Sequence, residues 1–151
     1  MIASLSVQDS DLLTQIHLEC FDNCWSSKSF SEMLSRKTFF GFIHKEKEAQ
    51  GFILGKIVGD EIEIITFCVL PRFQNSGIGK MLVDKIDDYA KIHSVHRIFL
   101  EVSENNTVAK NIYKGFGYKE ISKRIKYYPT GDCLQNAIIM RKDIIPNSII
   151  K

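Results

Sequence analysis

Three residues downstream of a glycine-bearing loop have the types that proton transfer needs: Glu101, Asn106 and Tyr113. Glu101 sits in Ile98-Phe99-Leu100-Glu101-Val102, a carboxylate on a mostly apolar strand. Asn106 stands where the next helix should be capped. Tyr113, seven residues on, returns to nearly the same helix face, with the small Ala109 between them. Brought together at the mouth of one strand, the three suit acyl transfer to an amine. The carboxylate takes a proton from the amine, directly or through water, and the phenol returns one to a leaving thiolate. Strand amides near Val69 would hold a thioester carbonyl as charge builds on its oxygen. Each residue alone has a plainer reading: a solvent-facing strand acid, a capping amide and a core aromatic.

The loop upstream supplies a second constellation. Residues 67–80 read as an apolar strand end, a short polar connection and the start of an amphipathic helix, and 74–79 spell Q-x-x-G-x-G. Small residues there leave backbone N–H groups uncovered at a helix N-terminus, where open donors and the helix dipole favour a pyrophosphate. The dinucleotide fingerprint G-x-G-x-x-G is excluded, because Leu82 stands where the third glycine belongs. The ATP-binding loop is excluded as well: Gln74 takes the place of its first glycine, and Gly79-Lys80 is followed by Met81. The competing reading is a plain turn whose glycines only relieve sterics.

These residues need a frame. The 151 residues fit one domain, expected over 1–145 with a tail at 146–151. A hydrophobic content of 44% and charged content of 25% are those of a soluble globular chain, and a formal charge of +2 is too small to imply a nucleic-acid partner. No apolar run reaches bilayer length and the N-terminus lacks a signal core, so a cytoplasmic protein without membrane contact is expected. Cys20, Cys24, Cys68 and Cys133 form no C-x-x-C pair and read as reduced thiols. The scattered His17, His44, His93 and His96 offer no metal-binding spacing, so no metal is expected. A monomer or weak dimer is the expected state.

Periodicity predicts strands at 2–7, 38–44, 51–58, 61–69, 97–102, 118–128 and 133–141. Helices are predicted at 9–21, from 29 with a Ser29-x-x-Glu32 capping box, from 78, and from Asn105 or Asn106 to 114, where Gly115 should take the left-handed position. The fold class is therefore α/β: a central mixed sheet with helices on both faces. The β-α-β unit around the glycines implies a parallel pair, with ligand at the strands' carboxyl ends.

Across nearly its whole length the sequence resembles the GCN5-related N-acetyltransferases, most closely the RimI-type ribosomal-protein-alanine N-acetyltransferases. Their Q/R-x-x-G-x-G/A loop is matched by Gln74-Asn75-Ser76-Gly77-Ile78-Gly79. The closer likeness lies in Cys24-Trp25-Ser26, Leu100-Glu101-Val102 with Asn106, Ala109, Ile112-Tyr113 and Gly115-Phe116-Gly117-Tyr118. It continues through Arg124-Ile125-Lys126-Tyr127-Tyr128-Pro129 with Asp132, then Ala137-Ile138-Ile139-Met140. The resemblance implies an acyl-CoA N-acyltransferase fold and acetyl-CoA as cosubstrate. It implies, as acceptor, the N-terminal alanine of the eighteenth protein of the small ribosomal subunit. It implies Glu101 as proton acceptor and Tyr113 as proton donor, with cofactor contacts from Phe67, Cys68, Val69, Asn75, Ser76, Gly77, Ile78, Gly79, Lys80 and Asn106. Trp25, Tyr127 and Tyr128 are either substrate contacts or core and rim aromatics.

Two positions depart from the family pattern. Asn75 replaces a usually basic residue, leaving Arg72 or Lys80 to compensate, and Thr66 stands where an asparagine is common. The kind of amine follows from proton availability. An α-amino group with a pKa near ~8 is roughly one-tenth neutral at pH 7, against well under ~0.1% for a lysine near ~10.4. Only the neutral amine attacks, so a single carboxylate base suits an N-terminus. The rivals are an acetyltransferase of the same fold acting on a polyamine or aminoglycoside, and a non-catalytic acyl-CoA-binding module.

Overall fold

A computed structural model of the chain describes residues 1–21, 24–126 and 135–144. Seven strands form one sheet: β1 (Ile2–Ser4), β2 (Phe39–Lys45), β3 (Ala49–Val58), β4 (Glu61–Val69), β5 (Arg97–Ser103), β6 (Lys119–Lys126) and β7 (Gln135–Asp143). Their order is β1-β2-β3-β4-β5-β7-β6, antiparallel throughout except for β4 beside β5. Helices α1 (Ser10–Cys20) and α2 (Ser27–Leu34) precede β2, α3 (Ile78–Ile92) joins β4 to β5, and α4 (Thr107–Gly115) follows β5. The expected mixed sheet and element order are both present. Among the described residues no helix is long and apolar enough to cross a membrane.

Alternation in the strands feeds two cores, one on each face. Ile53, Ile62, Ile64, Ile98, Leu100, Val102, Ile138 and Met140 meet Leu82, Val83 and Ile86 of α3 and Tyr113 of α4. On the other face Phe52, Leu54 and Cys68 meet Leu13 and Ile16 of α1 and Phe30 of α2. The stripe read along α3 is the buried one, with Tyr89 at its rim stacked on Phe40 at 3.8 Å.

Local details differ from the sequence reading at three points. The first strand is shorter, because Ser6 to Asp9 turn in a 3-10 helix closed by a Ser6–Asp9 capping box. Helix α2 is capped by Ser26, whose hydroxyl accepts the Ser29 amide at 3.1 Å, so Ser29 lies inside the first turn. Gly115 is helical, and the left-handed residue after α4 is Gly117 at φ 94°.

One irregularity opens the sheet. Between β3 and β4 the register runs Leu54↔Thr66 and then Gly55↔Ile64, so Ile65 is an extra residue in β4. Such a bulge bends a strand and shifts its side-chain phase. Ile62 and Ile64 accordingly face the α3 core, whereas Cys68 faces the α1 core and Phe67 and Val69 pack toward α3. Parallel pairing with β5 ends at Ile64↔Leu100. Beyond it β4 follows β3 to Gly51↔Val69, and β5 follows β7 to Ser103↔Ala137. The carboxyl ends of the parallel pair therefore splay apart.

Candidate active site

The cleft between the diverging strands has a backbone wall. The Leu70 amide donates to the Gln50 carbonyl at 2.9 Å, which fixes the phase of the β3–β4 ladder. By alternation Cys68 also pairs toward β3, and the main-chain groups of Phe67 and Val69 point into the cleft. The Val69 carbonyl takes side-chain bonds there, from Gln74 Nε2 at 3.2 Å and from the Cys20 thiol at 3.6 Å.

The glycine loop turns directly off this edge. Asn75 at φ 63° and Gly77 at φ 88° adopt left-handed backbone, and Gly77 caps α3. Asparagine is among the non-glycine residues most at ease there. The residue that gave up a positive charge thus suits the turn. The Ser76 hydroxyl donates to the Phe73 carbonyl. The first intrahelical bond runs from the Met81 amide to the Gly77 carbonyl at 3.1 Å. The amides of Ile78, Gly79 and Lys80 precede it and are the helix's open donors. A Cβ on Gly79 would lie 3.0 Å from Ile112 Cδ1 and 3.1 Å from Phe67 Cζ, so glycine lets α3 sit close against the strand end without displacing either side chain. The open donors therefore fall in two groups, the β4 edge and the helix N-terminus; between them the amides of Leu70, Phe73 and Gln74 are bonded to the Gln50, Leu70 and Pro71 carbonyls. Arg72 is engaged elsewhere, pairing with Glu19 at 3.3 Å and Glu48 at 3.4 Å and lying over Phe73, so it does not take over the charge missing at Asn75. Lys80 is exposed on the first turn of α3.

The acid–base candidates approach the cleft from opposite faces. Tyr113 is buried on the α3 side, edge-on to Phe67 at 5.7 Å and to Tyr118 at 5.3 Å. Burial, and secondarily the nearby Cys68 thiol, push its pKa far above the usual phenol value, so the hydroxyl keeps its proton and is a donor. Glu101 alternates with the buried Leu100 and Val102, so its carboxylate points to the other face, where it meets Arg124 Nη1 at 3.5 Å. The two lie on opposite faces of the sheet.

Asn106 caps α4 with its Oδ1, which accepts the Ala109 amide at 3.1 Å, leaving its amide NH₂ as the group able to meet a ligand. Cys68 is buried and its thiol is raised well above its ordinary range, first by burial and then by Cys20, so it is no nucleophile. Trp25 is half-buried on the α1 side, on the loop that leads into α2. Tyr127 and Tyr128 lie outside the described residues, as do Pro129, Asp132 and Cys133.

Two participants escaped the sequence reading. Arg124 entered the sequence reading within the family stretch 124–129, with no role of its own. The pairing Ser103↔Ala137↔Arg124 sets it on Glu101's face, a placement that depends on β7 lying between β5 and β6. Lys123 likewise meets Glu104 at 3.3 Å. Gln74 was visible as a motif letter, and its task of closing the Val69 carbonyl was not.

Comparison with known proteins identifies the family and the fold. Residues 10–118 match the profile of the Acetyltransferase (GNAT) family. The [Ribosomal protein bS18]-alanine N-acetyltransferase of Salmonella typhimurium is 30% identical, over 92% of this chain and 94% of its own. That of Escherichia coli K12 is 28% identical over 89% and 93%. A crystal structure of the ribosomal-protein-S18-alanine N-acetyltransferase from Escherichia coli superposes with a TM-score of 0.87 at 26% identity, covering 99% of this chain and 97% of that one.

Proposed function

The chain belongs to the Acetyltransferase (GNAT) family, and from that premise we propose that it acetylates the N-terminal amine of a protein, the alanine of ribosomal protein bS18, with acetyl-CoA as cosubstrate. The observation that carries this is the splayed β4–β5 cleft, lined by main-chain donors, with a buried phenol on one face and a carboxylate on the other.

The donor set fits the cosubstrate. The amides of Ile78, Gly79 and Lys80, with Asn75, Ser76 and Gly77 in the turn, would take the pyrophosphate. The edge at Phe67, Cys68 and Val69 would run beside the pantetheine arm, and the Asn106 amide would donate to it. When bound, acetyl-CoA supplies an activated thioester carbonyl. Glu101 takes a proton from the N-terminal ammonium before attack, or from the neutral amine as it adds to the carbonyl, and Arg124 holds that carboxylate in place. Tyr113, kept protonated by burial, gives its proton to the departing sulfur. The raised Cys68 thiol favours direct transfer over an acyl-enzyme. Residues 1–145 act as one domain in the cytoplasm.

A cationic small substrate would be drawn by acidic residues at the entrance. Glu101 and Glu104, the acids at this end of β5, are instead each matched by a base from β6, Arg124 and Lys123. This favours a peptide N-terminus over a polyamine.

The test is acetyl-CoA with an Ala-starting peptide, read by mass spectrometry, beside polyamines, an aminoglycoside and the same peptide with a blocked N-terminus. Acetylation confined to the free N-terminus is expected, and Glu101→Gln should slow it by about 100-fold. Modification of only the small amines would refute the reading.

A further inference from the structure

Trp25 is gripped by α1 at both ends of its peptide unit and across its ring. Its amide donates to His17 Nδ1 at 3.3 Å, and its carbonyl accepts the Thr14 hydroxyl at 3.1 Å. The indole stacks on the imidazole with centroids 5.0 Å apart and planes 25° apart. The Cys24 thiol adds bonds to the Trp25 carbonyl at 3.3 Å and the Thr14 carbonyl at 3.4 Å. Thr14 and His17 are one helical step apart and share a face. The grip sets more than one residue, since Ser26, the next in sequence, caps α2. Cys20, at the end of α1, touches the Val69 carbonyl at the cleft edge.

The imidazole is buried between Phe21 at 4.5 Å and Phe30 at 5.7 Å. To accept an amide proton, Nδ1 must carry the lone pair and Nε2 the hydrogen. A second proton would set N–H against N–H and end the bond.

We propose that Thr14 and His17 are positioning residues that hold Trp25 as one wall of the acceptor-peptide entrance, and that this hold lasts only while His17 is neutral. The inference rests on the peptide N-terminus reading above.

The surroundings allow a clean titration. Among the described residues, the titratable groups in the same core are the thiols of Cys20 on α1, Cys24 on the following loop and Cys68 on β4. Beside His17, α2 presents Phe30, and β3 contributes Phe52 and Leu54 to the same core. The charged Asp11, Glu19, Lys28 and Glu32 are exposed on α1 and α2, with Asp11 bonded to Ser27 and Glu19 to Arg72. Burial is what lowers the His17 pKa below its ordinary value. The neutral ring is therefore favoured in the folded chain. Its contribution to stability is full above the unfolded value of about 6.5 and is lost as pH falls toward the lower folded value.

Trp25 is the only tryptophan in the chain, and a protonated imidazole quenches a stacked indole, so intrinsic fluorescence reads the contact directly. In the wild type, emission should fall on acidification with a midpoint below about 6.5. His17→Asn, which keeps an acceptor and cannot titrate, should abolish that step. Peptide KM should rise about fivefold across the same transition, with the KM for acetyl-CoA changing less than about twofold. His17→Phe keeps the stacking and loses the acceptor, so its peptide KM should be about fivefold higher even at neutral pH. Thr14→Val, at a less buried site, gives the same KM readout should the Phe variant fail to fold.

A fluorescence step that survives in His17→Asn overturns the proposal. So does a peptide KM indifferent to pH in the wild type and to both clamp variants. If the wild type acetylates no peptide, the substrate reading falls separately, and the fluorescence titration alone decides whether His17 holds Trp25.

Discussion

Lys142→Met isolates a buried charge, and its cost can be bounded from titration alone. Lys142 on β7 bonds the Asp87 carboxylate on α3, with side chains only 20% and 7% exposed, and the other Asp87 oxygen has no hydrogen-bond partner among the described residues. The ammonium also lies over the rings of Tyr118 at 5.8 Å and Phe116 at 6.0 Å. Methionine keeps most of the stem and removes the charge. Asp87 must then ionise alone in the core or take up a proton. The second route caps the penalty: protonating a carboxyl of reference pKa ~3.9 costs about 4 kcal/mol at pH 7 and about 1.5 kcal/mol at pH 5. Losing both ring contacts adds roughly 0.5–1 kcal/mol that does not depend on pH. In the wild type the Asp87 pKa is already raised, burial outweighing Lys142. The protonated form is thus favoured by folding, and this contribution falls away as pH rises through the folded pKa; deleting Lys142 steepens that slope. Urea unfolding of both proteins at pH 5 and pH 7 measures it. Destabilisation that is equal at the two pH values, or below about 1 kcal/mol at pH 7, would refute the argument.

Other outcomes follow from the cleft. Tyr113→Phe should lower kcat by about 100-fold while acetyl-CoA affinity, measured by calorimetry, stays within about threefold. The wild-type rate should show no alkaline limb from this phenol, whose pKa lies far above the assay range. Gly77→Ala meets no atom within 4 Å yet must hold φ 88°, so it should cost about 1–2 kcal/mol in thermal unfolding and raise the KM for acetyl-CoA. Cys20→Ala should leave turnover within about twofold, because a direct transfer uses no thiol; a collapse of activity would revive an acyl-enzyme route.

The order of elements was legible because each carries its own period: alternation in residues 61–69, and a stripe of Ile78, Leu82 and Ile86 along α3. The glycine loop was legible because its geometry is local. Gly77 holds a positive φ and Gly79 a tight contact with Ile112 and Phe67, and both show in the sequence as glycine. The bulge at Ile65 was not legible: an isoleucine among isoleucines carries no mark of being unpaired, and the shift appears only in register with β3. Without it, Cys68 would share a face with Ile62. Arg124 was hidden for a related reason, since its closeness to Glu101 depends on β7 lying between their strands. The cap of α2 was misplaced by a competing signal. Ser29 with Glu32 looks like a capping box, yet Ser26, three residues earlier, supplies the acceptor.

The extra residue in β4 also bears on how such a protein tolerates change. The groups that would grasp a ligand along the strand are peptide amides, which every non-proline residue provides alike, so neighbouring side chains are free to drift. What cannot drift is residue count. Deleting Ile65 would restore an unbroken ladder between β3 and β4, whereas a substitution there would keep the extra residue. Insertions and deletions, rather than point changes, are thus the perturbations to which this architecture is most vulnerable.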